Sequence, residues 1–375
     1  MTAYASSPVF SSGISLKGCG GRSRRFRDRL DDLGLIDYVA ARDLNDKSGM
    51  AFRINGKTAP EVIANTDEIS LCGSIHLDPL GNQDDLEREI LLAMMLSPVR
   101  FAFRGFDELA SAVRIRKNIV AAARKTALAF DTSAAAERPA DCWTYSEERG
   151  FTVLPGKSLI EALRKATQPE ISGSLYDFSC YRATEYVFLL GLAEELTTCN
   201  PDLLARLQRQ WEIRAIQSGR FHDVFLVEYG SMENPLPPKF YVPGDRLWFR
   251  NPDDRSSDVE GYEGSWVFYL GNGQFSNFWK RDQPYTLTSK CLEIYHWRDG
   301  VREEPDGRLW MDETEVEARV RASLADPAAC ADIMRKMMRW RDPQGVYADG
   351  GCIDTSREYA RAICPRIAEL VLPDA

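Results

Sequence analysis

The sequence predicts an α+β protein in which a group of helices precedes an antiparallel sheet. Helical spacing of apolar residues prevails up to about residue 216. Strand-like segments then follow one another with short turns, at 241–250, 265–270, 274–279 and 292–297. Closely spaced strands indicate antiparallel pairing, and their separation from the helices indicates α+β rather than an alternating parallel fold.

Composition and charge argue against several classes of protein. The chain has 375 residues, of which 44% are hydrophobic and 27% charged, as is typical of a soluble globular protein. A net charge of −9 argues against a nucleic-acid binder that neutralises phosphates, and no run of about 18 apolar residues predicts a membrane span. The nine cysteines form no C-x-x-C pair. The sequence therefore signals no metal, cofactor or disulfide framework, and we expect a cytoplasmic protein.

The first 83 residues are predicted to form a variable leader and a helical extension. Residues 1–21 are rich in serine and glycine and lack a continuous apolar stretch, which predicts a disordered leader rather than a signal peptide. Residues 22–45 are predicted to be helical, because Phe26, Leu30 and Leu33 recur at helical spacing. The mixed stretch 46–83 contains a possible strand at 68–72.

Helices and one hairpin are predicted between residues 84 and 166. A helix spans about 84–96, with acidic residues in its first turn. Another begins near Asp107 and includes an alanine-rich run at 118–125, which favours helix and permits close packing. The segments 142–145 and 151–154 predict a hairpin. Ser158, followed three residues later by Glu161, marks a capping box that opens the next helix.

Cys180 stands at the start of a long apolar helix that is predicted to run to about Leu196. The unpaired N–H groups and the positive end of the helix dipole at such a position stabilise a thiolate. The alternative interpretation is a small buried thiol, because cysteine is among the most buried residue types.

The chain returns to helix after the predicted strands. Segments 313–324 and 328–340 have helical patterns, and acidic and basic residues alternate along the first of them. We therefore divide the chain into a variable N-terminal part (1–83), a core (84–300) and a C-terminal helical extension (301–375).

Several segments, taken in order and with their spacing, resemble one known family. They are Ser97-Pro98-Val99-Arg100-Phe101, the run 116–123, the run 175–180, Phe221-His222, the run 244–252, and Leu270-Gly271 with the aromatic residues after it. Together they resemble the bacterial spore-coat type protein-glutamine gamma-glutamyltransferases, or transglutaminases, over about residues 84–300. No single motif is specific, whereas the collinear set is fairly specific.

The resemblance implies a papain-like α+β core with Cys180 as the nucleophile. The thiolate would attack the side-chain amide of a protein glutamine, release ammonia and pass the acyl group to a lysine amine. The implied partners are protein substrates that bear glutamine and lysine side chains.

The sequence departs from the family pattern at the residues that support the thiol. Ser179 and Ser265 stand where the family has glutamates, and its histidine falls on or beside Phe278. Two substitutes are considered as catalytic residues: Glu263, two residues from the expected carboxylate, and His296, on the next predicted strand. For His296 the alternative is a hydrogen-bonded or surface imidazole without a catalytic role.

Three functions remain open from the sequence. The first is acyl transfer from glutamine to lysine through a Cys180 thioester. The second is a glutamine deamidase or amidase on the same core, with water as the acceptor. The third is a catalytically impaired binding module that has kept the fold. The altered partner positions favour the binding module, whereas the matching context of Cys180 favours an enzyme.

Overall fold

The computed structural model of the protein describes most of the chain. The described residues are 12–18, 21–44, 46, 48–57, 71–131, 137–216, 218–341 and 351–373. They form helices and sheets in an α+β arrangement. None of the helices in these ranges combines the length and the apolar character that crossing a membrane requires.

The strands of the described residues group into a four-stranded sheet, a six-stranded sheet and three pairs. In chain order they are β1 (Gly13–Lys17), β2 (Val39–Asp43), β3 (Gly49–Ile54), β4 (Arg100–Phe103), β5 (Ala129–Phe130), β6 (Trp143–Ser146), β7 (Gly150–Val153), β8 (Asp177–Phe178), β9 (Leu226–Tyr229), β10 (Arg246–Arg250), β11 (Gly264–Gly271), β12 (Gln274–Phe275), β13 (Tyr285–Thr286), β14 (Val301–Glu303), β15 (Leu309–Met311) and β16 (Arg357–Ala360).

The helices pack against these sheets and against one another. In chain order they are α1 (Gly21–Asp32), α2 (Leu71–Ile75), α3 (Gln83–Leu96), α4 (Phe106–Lys125), α5 (Leu159–Thr167), α6 (Pro169–Ser172), α7 (Cys180–Cys199), α8 (Pro201–Ile213), α9 (Ser218–Phe225), α10 (Asp254–Ser257), α11 (Leu287–Gly300), α12 (Glu313–Ala325) and α13 (Pro327–Met337), with one 3-10 turn at Ile36–Tyr38. The helices α3, α4, α5, α7, α12 and α13 and the β6–β7 hairpin confirm the corresponding predictions.

The four-stranded sheet lies where the sequence predicts a leader and a helix. Its order is β2-β3-β1-β4, with β1 antiparallel to β3 and parallel to β4. The prediction of disorder is wrong at β1, because Ile14 and Leu16 are buried between strands that lie far along the chain. The predicted helix 22–45 ends early, at Asp32, and β2 follows. Residues 1–11 and 19–20 of the predicted leader lie outside the described residues.

The six-stranded sheet is antiparallel throughout, as predicted, in the order β13-β12-β11-β10-β16-β9. Its inner strand β16 comes from residues that the sequence assigns to a C-terminal helical extension. Residues 301–375 therefore contribute an inner strand as well as helices, and the sheet crosses the predicted boundary at residue 300.

Two apolar clusters cover the two faces of this sheet. Along β11, Phe268 and Leu270 belong to the cluster around α7, whereas Val267 and Tyr269 belong to the cluster around α11. This alternation is expected of a strand that is covered on both faces. Helix α7 is buried on nearly every side, since all residues of 186–193 are buried.

The predicted strand at 292–297 is wrong, because these residues lie within helix α11. The helix begins at a capping box in which the Thr286 and Ser289 side chains each accept from the other's backbone N–H, at 3.0 and 2.9 Å. Buried side chains then recur at helical spacing, for example Leu287, Cys291 and Ile294. At 68–72, residues 71–75 form α2, and residues 68–70 lie outside the described ranges.

Helices α4 and α7 pack closely in the centre of the molecule. A Cβ atom at Gly191 of α7 would lie 2.7 Å from Ile119 Cγ1 and 2.8 Å from the Ile119 backbone nitrogen. Both distances are shorter than side-chain contacts tolerate, so glycine is required for the approach. The alanine-rich part of α4 fits the same close packing, because Ala122 and Ala123 are buried.

Gly191→Ala is expected to destabilise the protein by about 1–3 kcal/mol, because the added methyl group overpacks the α4–α7 contact. Helix propensity alone predicts the opposite sign, since alanine is favoured over glycine by about 1 kcal/mol. Gly219→Ala in α9 is the matched control, because no atom lies within 4 Å of its added Cβ. Urea unfolding of the two variants measures the difference, and equal stability would contradict the close packing.

Candidate active site

Helix α7 begins in a way that fixes the position of Cys180. Ser179 is the N-cap residue, and its hydroxyl accepts a hydrogen bond from the Arg182 N–H at 3.3 Å. Cys180 is therefore the first helical residue. The chain reaches this point through β8, which pairs with β5 so that Phe178 lies opposite Phe130.

The start of α7 packs against β11, with the Tyr181 ring 5.2 Å from that of Trp266, and β12 covers only part of one edge of this strand. Further along this edge, Phe268 and Ser276 are joined by two hydrogen bonds of 2.9 and 3.0 Å. Two residues before Phe268, the backbone N–H of Trp266 lies on the same edge and favours the thiolate of Cys180. Every second residue of an antiparallel strand directs its N–H to the same edge, so the Trp266 N–H points away from β10, as that of Phe268 does.

The environment of Cys180 is desolvated and cationic. Burial raises the pKa of the Cys180 thiol, while the Trp266 N–H and the charges of Lys290 and Arg246 act in the opposite direction. At rest the residue is therefore a thiol, and two buried cations favour its thiolate.

Arg246 of β10 is the more firmly held of these cations. It is only 1% exposed, and its guanidinium lies 3.8 Å from the centre of the Trp266 ring and 4.7 Å from that of Tyr181. Its Nε donates to Thr184 Oγ1 at 2.9 Å, and its Nη1 forms an ion pair with Glu358. The cation thus contacts Tyr181, which follows Cys180 in the chain, and Trp266 of β11.

Glu358 brings the C-terminal strand β16 into this site. It lies opposite Arg246 in the β10–β16 register. Its second carboxylate oxygen lies 3.4 Å from Nε2 of His222 on α9. The Glu358 carboxylate therefore contacts both Arg246 and His222.

Lys290 of α11 is buried beside an aromatic ring and a carboxylate. Its Nζ lies 3.6 Å from the centre of the Tyr285 ring and 3.0 Å from Glu293 Oε2. Tyr285 and Glu293 also line an open cleft of about 600 Å³. Its other aromatic and acidic residues are Phe130, Tyr262, Trp279, Trp297, Glu313 and Glu317.

Comparison with known proteins identifies the family. The sequence model of the protein-glutamine gamma-glutamyltransferases matches residues 71–366. The chain belongs to the protein-glutamine gamma-glutamyltransferase family. This confirms the resemblance drawn from the sequence, and the matched range extends beyond the predicted core (84–300) at both ends.

Curated relatives carry the same name. The chain is 26% identical over 196 residues to a protein-glutamine gamma-glutamyltransferase of Bacillus pumilus (strain SAFR-032), a match that covers 50% of the chain and 71% of the relative. It is 27% identical over 192 residues to one of Bacillus mycoides (strain KBAB4), covering 50% of the chain and 63% of the relative. A solved transglutaminase from Geobacillus stearothermophilus, without its C-terminal extension, is 18% identical. That match covers 57% of this chain and 96% of the other, with a TM-score of 0.40.

Other residues occupy the positions at which the resemblance places the family's supporting residues. Ser179 caps α7, as described above. Ser265 is buried on β11 opposite Phe249, and this register places it on the face towards α11. Phe278 lies in the core, and the neighbouring Asn277 binds the carbonyl of Gln283 at 2.9 Å. These four side chains offer no carboxylate or imidazole to the thiol.

The described contacts bring neither Glu263 nor His296 to Cys180. Glu263 has an exposed side chain, and its carbonyl oxygen accepts from the Asn251 N–H at 3.0 Å. His296 is buried on α11, with Nδ1 donating to Asp299 at 2.6 Å and Nε2 hydrogen-bonded to Ser323 at 2.8 Å. The catalytic roles of both residues stay predictions. For His296, the interpretation as a hydrogen-bonded imidazole accounts for both ring nitrogens.

Three charged residues of the site were missed by the sequence analysis: Arg246, Lys290 and Glu358. Arg246 carries a readable signal, because it alternates with Leu247 and Phe249 on a strand that is buried on both faces. Glu358 carries none, since it lies in the segment assigned to a C-terminal helical extension, and Lys290 lies before the predicted strand 292–297 with no motif around it. Within the described ranges, no group of three histidine, cysteine or acidic residues is arranged to hold a metal ion.

His296→Asn is expected to destabilise the protein by about 1–3 kcal/mol, because it breaks buried hydrogen bonds to Asp299 and Ser323. The thermal midpoint of the full-length protein measures this loss. Glu263→Gln, at an exposed side chain, is the control and should leave the midpoint unchanged. Unchanged stability of His296→Asn together with a hundredfold loss of activity would instead support the catalytic role predicted from the sequence.

Proposed function

We propose that the protein is a protein-glutamine gamma-glutamyltransferase with Cys180 as its nucleophile. The observation that carries the proposal is the position of this thiol in a chain of this family. Cys180 is the first residue of the central helix, which packs against β11, and the charges of two buried cations, Lys290 and Arg246, favour its thiolate. A helix-start cysteine packed against an antiparallel sheet also supports a papain-like core.

The proposed reaction needs only the Cys180 thiol, the glutamine amide and the lysine amine. The Cys180 sulfur attacks the side-chain amide carbon of a glutamine, the C–N bond breaks, and the thiol proton leaves with ammonia. The amine of a lysine then attacks the thioester, the C–S bond breaks, and the thiol of Cys180 is restored. Both substrates are expected to be proteins, and the reduced thiol fits the cytoplasm as the proposed location.

The cleft beside Tyr285 is the place where we expect a substrate side chain to lie. Its wall includes Phe130, which pairs with Phe178 two residues before Cys180. Tyr285, another wall residue, contacts Lys290, whose charge acts on the thiol. Aromatic walls with a few polar groups are typical of ligand-binding clefts.

A binding module without activity is the second candidate. It is favoured by the serine, asparagine and phenylalanine side chains at Ser179, Ser265, Asn277 and Phe278, and by the burial that raises the pKa of the Cys180 thiol. A deamidase on the same site would form the same thioester and transfer it to water.

The test uses a glutamine-rich protein with methylated lysines as acyl donor and a fluorescent primary amine as acceptor. We expect covalent incorporation of the amine by the wild type. Cys180→Ala should lower the rate on the order of 10³-fold or more, because no sulfur remains to carry the acyl group. Cys330→Ala, at a partly exposed cysteine of α13, is the matched control and should retain activity.

Other outcomes separate the alternatives. Release of ammonia without incorporation of the amine would identify a deamidase. A wild type as inert as Cys180→Ala over a broad pH range would favour the binding module. Equal, substantial activity in both would exclude Cys180 as the nucleophile.

A further inference from the structure

We propose that Arg246 is the positioning residue of the nucleophile, and that Glu358 of β16 controls how much of its positive charge acts on the Cys180 sulfur. The inference rests on the proposed function, since it explains how the thiol is activated without a histidine. It assigns a role to two residues that no motif of the sequence analysis singled out for chemistry.

The first argument is the position of the guanidinium. It contacts the rings of Tyr181 and Trp266, at 4.7 and 3.8 Å from their centres. Tyr181 follows Cys180 in the chain, and its ring lies 5.2 Å from that of Trp266, whose backbone N–H favours the thiolate. Water is excluded from this contact, because Arg246 is only 1% exposed. A charge in such surroundings acts over a longer distance than a charge at the surface.

The second argument is the hydrogen bonding of Arg246. A guanidinium has five N–H donors in a fixed plane. Here Nε binds Thr184 and Nη1 binds Glu358, whereas Nη2 is buried and has no hydrogen-bond partner in the described part of the chain. Buried donors without partners are rare in proteins. The positive charge on this nitrogen is therefore not offset by a hydrogen-bond acceptor among the described residues.

The third argument is the set of charges around Arg246. Glu358 contacts it directly and also lies 3.4 Å from His222. Glu185 is buried on α7, where Arg182 and Ser218 bind it at 2.9 and 3.1 Å, and it acts on Arg246 only at longer range. Lys290 is the second cation near the thiol. Glu358 is thus the anion that most directly neutralises Arg246.

These contacts predict opposite effects for the two partners. Removing the charge of Arg246 removes stabilisation of the thiolate, so the pKa of Cys180 rises. Removing the charge of Glu358 leaves Arg246 uncompensated, so the pKa of Cys180 falls. If the ion pair had only a structural role, the pKa of Cys180 would not shift in opposite directions, because loss of either partner would disturb the same contact.

The experiment measures the rate of Cys180 alkylation by iodoacetamide as a function of pH, in full-length protein, by mass spectrometry of the Cys180 peptide. The variants are Arg246→Met, Arg246→Lys and Glu358→Gln. Arg250→Met is the matched control, because this arginine of the same strand lies over Trp248 instead of Trp266. Circular dichroism establishes that each variant is folded.

We expect the midpoint of the profile to rise by about one pH unit or more in Arg246→Met, as for the loss of a nearby opposite charge. At a fixed pH below the midpoint this is about a tenfold slower alkylation. Arg246→Lys and Arg250→Met should retain the wild-type midpoint, and Glu358→Gln should lower it. Midpoints that stay unchanged, or that move in the same direction in Arg246→Met and Glu358→Gln, would overturn the inference. Should Arg246→Met fail to fold, the direction in Glu358→Gln decides.

The alkylation profile is independent of the substrate, so the inference and the proposed function can fail separately. Opposite shifts without amine incorporation by the wild type would support the role of Arg246 and contradict acyl transfer. Incorporation that depends on Cys180, with an unchanged profile in Glu358→Gln, would support the enzyme and overturn the role of Arg246.

Discussion

Helix α7 is buried on nearly every side, and other elements of the fold must therefore surround it. Helix α4 approaches closely enough to require Gly191, and α5 and β11 cover further faces. A helix that is apolar all round is stable only in such an enclosure. The enclosure fixes the first residue of α7 as well, and this is how packing in the core determines where the Cys180 thiol lies.

Much of the fold could be predicted, because many elements carry local signals. The cap at Ser158, the alanine-rich part of α4 and the apolar run after Cys180 each act within a few neighbouring residues. Strand β1 and strand β16 could not be predicted in this way. Each is short, and each gains its stability from strands that lie far along the chain, so its own residues carry little of the signal.

The candidate site was predictable only at Cys180. The resemblance led to Glu263 and His296 because they are the acid and the imidazole nearest in sequence to the altered positions. Nearness in the sequence to these positions does not bring a side chain close to Cys180 in the fold. His296 turns towards α12 because its segment is helical, and a helix directs its side chains differently from a strand. Arg246 and Glu358 are 112 positions apart and meet only because β16 enters the sheet beside β10.

The position of β16 near the end of the described residues also affects the order in which the protein can fold during synthesis. Synthesis proceeds from the N-terminus, so a nascent chain contains the thiol long before it contains residues 357–360. Until then β9 and β10 lack the strand that joins them, and Arg246 lacks the carboxylate that compensates its charge. The sheet and the surroundings of Cys180 are therefore completed late, after the ribosome has passed β16.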